Sequence, residues 1–196
     1  MKIRNNTALL AVTAALISGA VLAHSGATGI VKERMDGMVA LRDAVRDVTP
    51  IMRGQVAYDS DAVMDFARIV QDHSGEAMTE LFPEGSGGMP SEARDTVWSD
   101  WEEFETLAME LEVLGQALEA AAVNGLSADN QAETSMSTDL MGTGMGMDTG
   151  MGSMMGLSET DELDIDALAA MSAGDVFTQI GQTCSACHTK YRAEGN

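Results

Sequence analysis

Near the carboxyl end of this 196-residue chain stands Cys184-Ser185-Ala186-Cys187-His188. Two thiols spaced by two residues and followed at once by an imidazole form the attachment signal for a c-type haem. The thiols of Cys184 and Cys187 would join the two haem vinyl groups as thioethers, and His188 would bind the iron on its proximal side. Other chemistries match the residues poorly. A redox dithiol belongs at a helix start behind a strand of an α/β chain, and no alternating apolar–polar run precedes this pair. A structural zinc site takes about four ligands, whereas the chain has no third cysteine and only His24 and His73 besides. The reading is one covalent haem c per chain.

Covalent attachment of haem c takes place outside the cytoplasm, and the amino end carries a matching address. Lys2 and Arg4 precede an apolar run from Ala8 to Leu22, and Val21-Leu22-Ala23 offers a small-residue cleavage site. Residues 1–23 therefore read as a secretory signal peptide, with 24–196 as one periplasmic domain. The run is too short for a membrane span and nothing later is longer, so no transmembrane anchor is expected. Without the leader, 9 Lys+Arg face 31 Asp+Glu, a formal charge of −22. Such a surface argues against nucleic acid and anionic membranes as partners. It suits a redox protein partner with a basic docking face, and equally plain solubility.

The elements that must position the pentad are helical. From Gly29 to about Arg53, Val31, Met35, Met38, Val45, Val48 and Met52 recur at steps of three and four. That spacing predicts one buried face, with Pro50 kinking the helix or ending it near Thr49. A second helix is expected from a Ser60 or Asp61 cap through Val63, Phe66, Ala67, Val70 and Met78 to Leu81. Pro83, Gly85–Gly88 and Pro90 form a turn, and Ser91 is a candidate cap for the third helix. There Trp98, Trp101, Phe104, Ala108, Leu111, Leu114, Leu118 and Ala122 make the cleanest stripe, closed by Asn124-Gly125. The fourth helix starts at about Ala167 or Ala173, carries Val176, Phe177, Ile180 and the pentad, and ends at Arg192. Four amphipathic helices around one core predict an all-α, antiparallel four-helix bundle.

Between the third and fourth helices, at about 126–160, lies a flexible insert rich in methionine and glycine. A long loop costs only about 0.6 kcal/mol more per doubling of its length, so a bundle tolerates it. Its seven methionines from Met136 to Met155 are soft thioether donors suited to Cu(I), exposed targets for oxidation, or simply part of a disordered segment. No Ser–His–acid grouping or pair of carboxylates with separable roles is evident, so an enzyme is not expected.

Read together, these residues resemble the class II c-type cytochromes, the cytochrome c′ and cytochrome c-556 family. The resemblance rests on Cys184-Ser-Ala-Cys187-His188-Thr-Lys-Tyr191-Arg192 and on Val31-Lys-Glu-Arg34-Met35-Asp-Gly-Met38. Leu81-Phe82-Pro83 and Trp98-Ser-Asp-Trp101-Glu-Glu-Phe104 extend it, whereas the insert has no counterpart. The resemblance implies that Met38 faces the distal side of the haem, as the sixth iron ligand in low-spin members or as a shield in cytochrome c′. Arg34, on the same helix as Met38, either pairs with a haem propionate or an acidic neighbour or is a solvated helix charge, and Arg192 lies over the proximal histidine or reaches a carboxylate. The leading expectation is a periplasmic single-electron carrier with a His188/Met38 low-spin haem c. The alternatives are a high-spin, five-coordinate cytochrome c′ that binds NO or CO, and a haem-containing copper-handling module acting through the insert. A homodimer through Leu41, Ile51, Met64 and Ile69 is compatible with any of them.

Overall fold

The computed structural model describes residues 26–127 and 163–193. The expected leader over 1–23, His24 and the methionines Met136–Met155 lie outside them. The described residues form an all-α bundle without a sheet, their one isolated bridge joining Ala93 and Arg192. Four helices are long: α1 (Gly29–Met52), α2 (Ser60–Asp72), α5 (Trp101–Ala121) and α7 (Ala173–Tyr191). Short helices α3 (Gly75–Thr79), α4 (Thr96–Ser99) and α6 (Ile165–Ala169) and a 3-10 turn over Ala122–Asn124 extend them. Helix α5 packs against both α2 and α7, while α1 packs against α2.

The expected α1 face is rotated. Its fully buried residues are Arg34, Gly37, Ala44 and Val48, whereas Val45 stays exposed and Met35, Met38 and Met52 are half-buried. Small residues decide this, because they let α1 approach α2 closely: a Cβ on Gly37 would lie 3.3 Å from Nδ1 of His73. Pro50 does not end the helix at Thr49, since α1 runs on to Met52. It stands in the last turn, where little helix remains to be broken. The stop comes from a Schellman motif. Gly54 adopts φ +64°, its N–H donates to the Ile51 carbonyl at 2.9 Å, and the Gln55 N–H donates to the Pro50 carbonyl at 2.8 Å.

Helix α2 starts one residue earlier than expected, because Asp59 is the cap and its carboxylate accepts from the N–H groups of Asp61 and Ala62. It also does not run to Leu81. The chain breaks at His73 and Ser74 and restarts as α3 at Gly75, which takes φ +56°. A side chain there would strain the backbone, and its Cβ would fall 1.8 Å from Glu112 Oε2. Gly75→Ala should therefore cost about 1–2 kcal/mol, read as a lower denaturation midpoint of the haem-loaded protein; an unchanged midpoint would refute this account of the break.

The α5 stripe follows expectation from Phe104 through Ala108, Leu111, Leu114 and Leu118 to Ala122, all buried. Trp98 sits on the separate α4 instead, and Ser91 caps no helix, its hydroxyl accepting from the N–H of Ala93 at 3.1 Å. The fourth helix begins at Ala173 behind Ser172, whose Oγ accepts from the Asp175 N–H at 3.1 Å and donates to the Asp175 carboxylate at 2.7 Å. Ser172 is thus a side-chain N-cap, its hydroxyl bonded in both directions to Asp175. Leu114, Leu118, Val63, Val70, Val176 and Ile180 form the core, each at most 1% exposed. Leu41, Ile51, Met64 and Ile69 pack against it while remaining partly exposed.

Candidate haem site

Cys184, Cys187 and His188 lie on α7 at separations of three and four, so they share one helical face. Burial raises the pKa of the Cys184 thiol, and burial together with the neighbouring Cys184 pushes that of Cys187 up to about 11. Both are therefore protonated at neutral pH and unlike the low-pKa thiolates of redox dithiols. Partial burial, reinforced by the Arg192 charge, lowers the pKa of His188. A neutral imidazole, the form that binds metal, is favoured.

The end of α7 that carries these residues is tied down from two directions. On α5, Glu110 accepts from the Thr183 hydroxyl at 3.1 Å, and at its N-cap the Asp100 carboxylate accepts from the Tyr191 hydroxyl at 3.2 Å. Lys190 pairs with Asp100 and Glu103, which lowers the pKa of Asp100 and raises that of Lys190. From the 92–96 segment, Arg94 donates through Nη1 to the Thr189 carbonyl at 3.1 Å and through its backbone N–H to the Tyr191 carbonyl at 2.8 Å. The Thr96 hydroxyl donates to the Lys190 carbonyl at 3.1 Å. A helix C-terminus leaves its last carbonyls without partners, and Arg94 and Thr96 supply them here. Neither residue stood out in the sequence, where the segment read only as the approach to a helix.

On α1, Arg34 and Met38 line a cavity of about 10 Å³ with Gly37, His73, Met78 and Phe82. Arg34 is only 4% exposed. Its Nη2 donates to the Ser86 carbonyl at 2.8 Å, and the guanidinium lies 4.3 Å from the centroid of the Phe82 ring. Burial lowers its pKa, although a guanidinium stays charged in proteins. Arg34 Nε and Nη1 and the Ser86 hydroxyl are buried without a hydrogen-bond partner. Unpaired buried donors cost about 1–3 kcal/mol each, so this corner fits an added carboxylate, such as a haem propionate. Ser86 belonged to an anonymous turn in the sequence.

Phe82, which lies under Arg34, also packs toward α5 and, through it, toward the end of α7. Its ring packs on Phe104 at 4.8 Å, and Phe104 packs edge-on against Tyr191 at 5.4 Å. Met38 is half-buried against the core. Arg192, on the turn beyond His188, pairs with Glu92 at 2.8 Å with both side chains exposed, and its charge bears on His188.

A protein-family model described as cytochrome C′ matches residues 29–141, a span that ends before the pentad. No curated protein matches the chain by sequence. Among solved structures, cytochrome c′ from Thermochromatium tepidum aligns at 20% identity and a TM-score of 0.53, covering 84% of this chain and 95% of that one. Recombinant native cytochrome c′ from Alcaligenes xylosoxidans aligns at 22% identity and a TM-score of 0.52, covering 84% and 94%. A nitric oxide complex of a mutant of the same protein aligns at 22% and 0.52, covering 85% and 94%. The family match corrects the leading functional expectation. The hallmark of that family is a high-spin, five-coordinate haem that binds NO or CO, so the His188/Met38 low-spin electron carrier is overturned. A methionine at helical spacing on α1 looks the same in sequence whether it ligates iron or merely packs beside it.

Proposed function

The chain belongs to the cytochrome c′ family, and on that premise we propose that it is a periplasmic haem protein whose five-coordinate, high-spin iron binds nitric oxide or carbon monoxide. Members of the family are non-catalytic c-type cytochromes that carry one covalently bound haem c; this chain therefore carries one haem c and is not an enzyme. The family match over 29–141 carries the reading, because it includes the α1 segment with Arg34 and Met38. Among the described residues no helix is long and apolar enough to cross a membrane, and the leader read at 1–23 supports export.

In this reading an antiparallel four-helix bundle would hold the group through thioethers at Cys184 and Cys187 and through the neutral imidazole of His188. Arg34, with Nε and Nη1 free, and the Ser86 hydroxyl would receive a propionate carboxylate. Met38, a half-buried apolar side chain next to Arg34, would restrict access to the bound group rather than serve as its ligand. When bound, the haem supplies an iron with one open coordination position for a neutral diatomic molecule. Leu41, Ile51, Met64 and Ile69 are the strip through which two copies would pair, against the repulsion of two strongly acidic chains.

Visible spectroscopy tests the assignment. The ferric protein should lack the weak far-red band of methionine-to-iron charge transfer, and the ferrous protein should bind carbon monoxide saturably without any mutation. Met38→Gly should speed carbon monoxide association by roughly tenfold, equivalent to removing about 1.4 kcal/mol of steric barrier. A native far-red band that disappears in Met38→Gly, together with refusal of carbon monoxide, would sink the proposal.

A further inference from the structure

Phe82 has a second side. Away from Arg34, it lines an open groove of about 470 Å³ with Pro83, Trp98 and Trp101, rimmed by Glu80 and Glu84. Neither the two cysteines nor His188 lines this groove. Its aromatic walls are held in place. Trp98 Nε1 donates to the carbonyls of Phe82 at 2.9 Å and Pro83 at 3.1 Å. A Cβ on Gly87 would meet the Trp98 ring at 2.9 Å, so the loop backbone lies directly against that indole. Trp101 packs on Phe104 at 5.6 Å.

The rim carboxylates are exposed and take part in no ion pair among the described residues. The nearby cations are engaged elsewhere: Lys190 with Asp100 and Glu103, Arg192 with Glu92, Arg94 with the Thr189 carbonyl and Arg34 with Ser86. Indole faces attract cations through their quadrupole, and unpaired carboxylates beside them add charge attraction. An anion would be repelled, and a purely apolar occupant would strip water from Glu80 and Glu84 without replacing it. An arginine or lysine has a stem that packs on the rings and a head that meets the carboxylates.

We infer that this groove is the docking seat for an arginine- or lysine-bearing surface segment of a basic partner protein. Its openness suits a side chain delivered on another protein's surface. The strongly acidic body of the chain would steer such a partner toward it, and a central aromatic anchor meeting a cation is the pattern of an interface hot spot. The inference is independent of the gas-binding reading.

The test uses the haem-loaded ferrous protein under carbon monoxide, whose low-spin iron leaves proton spectra sharp. The chain has two tryptophans, both in the groove, so its two indole N–H signals report on that site alone. Titration with Gly-Arg-Gly-Arg-Gly should move both signals saturably, and the same peptide with citrulline in place of arginine should not. Glu80→Gln/Glu84→Gln, at exposed positions, should weaken binding by roughly threefold or more relative to Asp61→Asn/Asp166→Asn, which removes equal charge elsewhere. Trp101→Leu should weaken it further. Unmoved indole signals, equal shifts from the citrulline peptide, or equal weakening in the two charge variants would overturn the inference.

Discussion

Serine at both Cys184 and Cys187 should abolish the haem mass that is expected to remain on the chain after acid denaturation. A thioether carbon–sulfur bond survives acid and solvent extraction, whereas the bond from iron to His188 is lost once the imidazole is protonated. The native chain should therefore keep one haem by intact-mass measurement, and the double-serine chain none. His188→Ala separates the two roles: it should retain the covalent mass while losing the ordinary proximal-ligand spectrum. Each single serine variant should retain less haem than the native chain, through its one remaining thioether. The raised thiol pKa values of Cys184 and Cys187 sharpen the contrast with a redox dithiol, since slow alkylation of the haem-free chain at neutral pH is expected. Loss of haem mass from the native protein would remove the covalent site altogether.

What could be read from the sequence divides along a physical line. The pentad is local chemistry, with spacings of three and four that put its three groups on one helical face wherever that helix lies. The α5 stripe was equally legible, because apolar residues from Phe104 through Ala108, Leu111 and Leu114 to Leu118 recur at helical spacing. The α1 face was misplaced because hydrophobicity alone weights Met35 and Val45 above Gly37 and Ala44, whereas close helix packing rewards the small residues. The break at Ser74 and Gly75 was missed because Val70, Met78 and Leu81 keep helical spacing across it; only the left-handed backbone of Gly75 and its approach to Glu112 reveal it. Arg94 and Thr96 cap α7 across nearly a hundred residues of sequence, and no local pattern announces that. Ser86 is the extreme case, since an unpartnered hydroxyl is a property of its surroundings. Met38 lies beyond all of these: ligand and shield differ by the position of an iron that the composition does not encode.

The buried charge of Arg34 should become a stabilising feature only when haem is present. In the chain alone it makes one hydrogen bond to the Ser86 carbonyl and lies over the Phe82 ring, with Nε and Nη1 unpaired. Those two unsatisfied donors offset most of what its bond and ring contact contribute. A propionate would turn both into charge-assisted hydrogen bonds, each stronger than a neutral one. Arg34→Leu should thus cost markedly more in the haem-loaded protein than in the Cys184→Ser/Cys187→Ser chain. The difference, measured as a double-mutant cycle from denaturant midpoints, should be about 2–3 kcal/mol. Ser86→Ala should show the same sign with about 1 kcal/mol of coupling. Arg34→Lys should recover only part of the loss, because an ammonium cannot present the planar pair of donors that a carboxylate accepts. A second reading comes from the haem itself: removing the guanidinium should lower the reduction potential, since a positive charge beside a propionate favours the electron-rich ferrous form. Equal costs of Arg34→Leu with and without haem, and an unmoved potential, would show that the orphaned donors serve the fold alone.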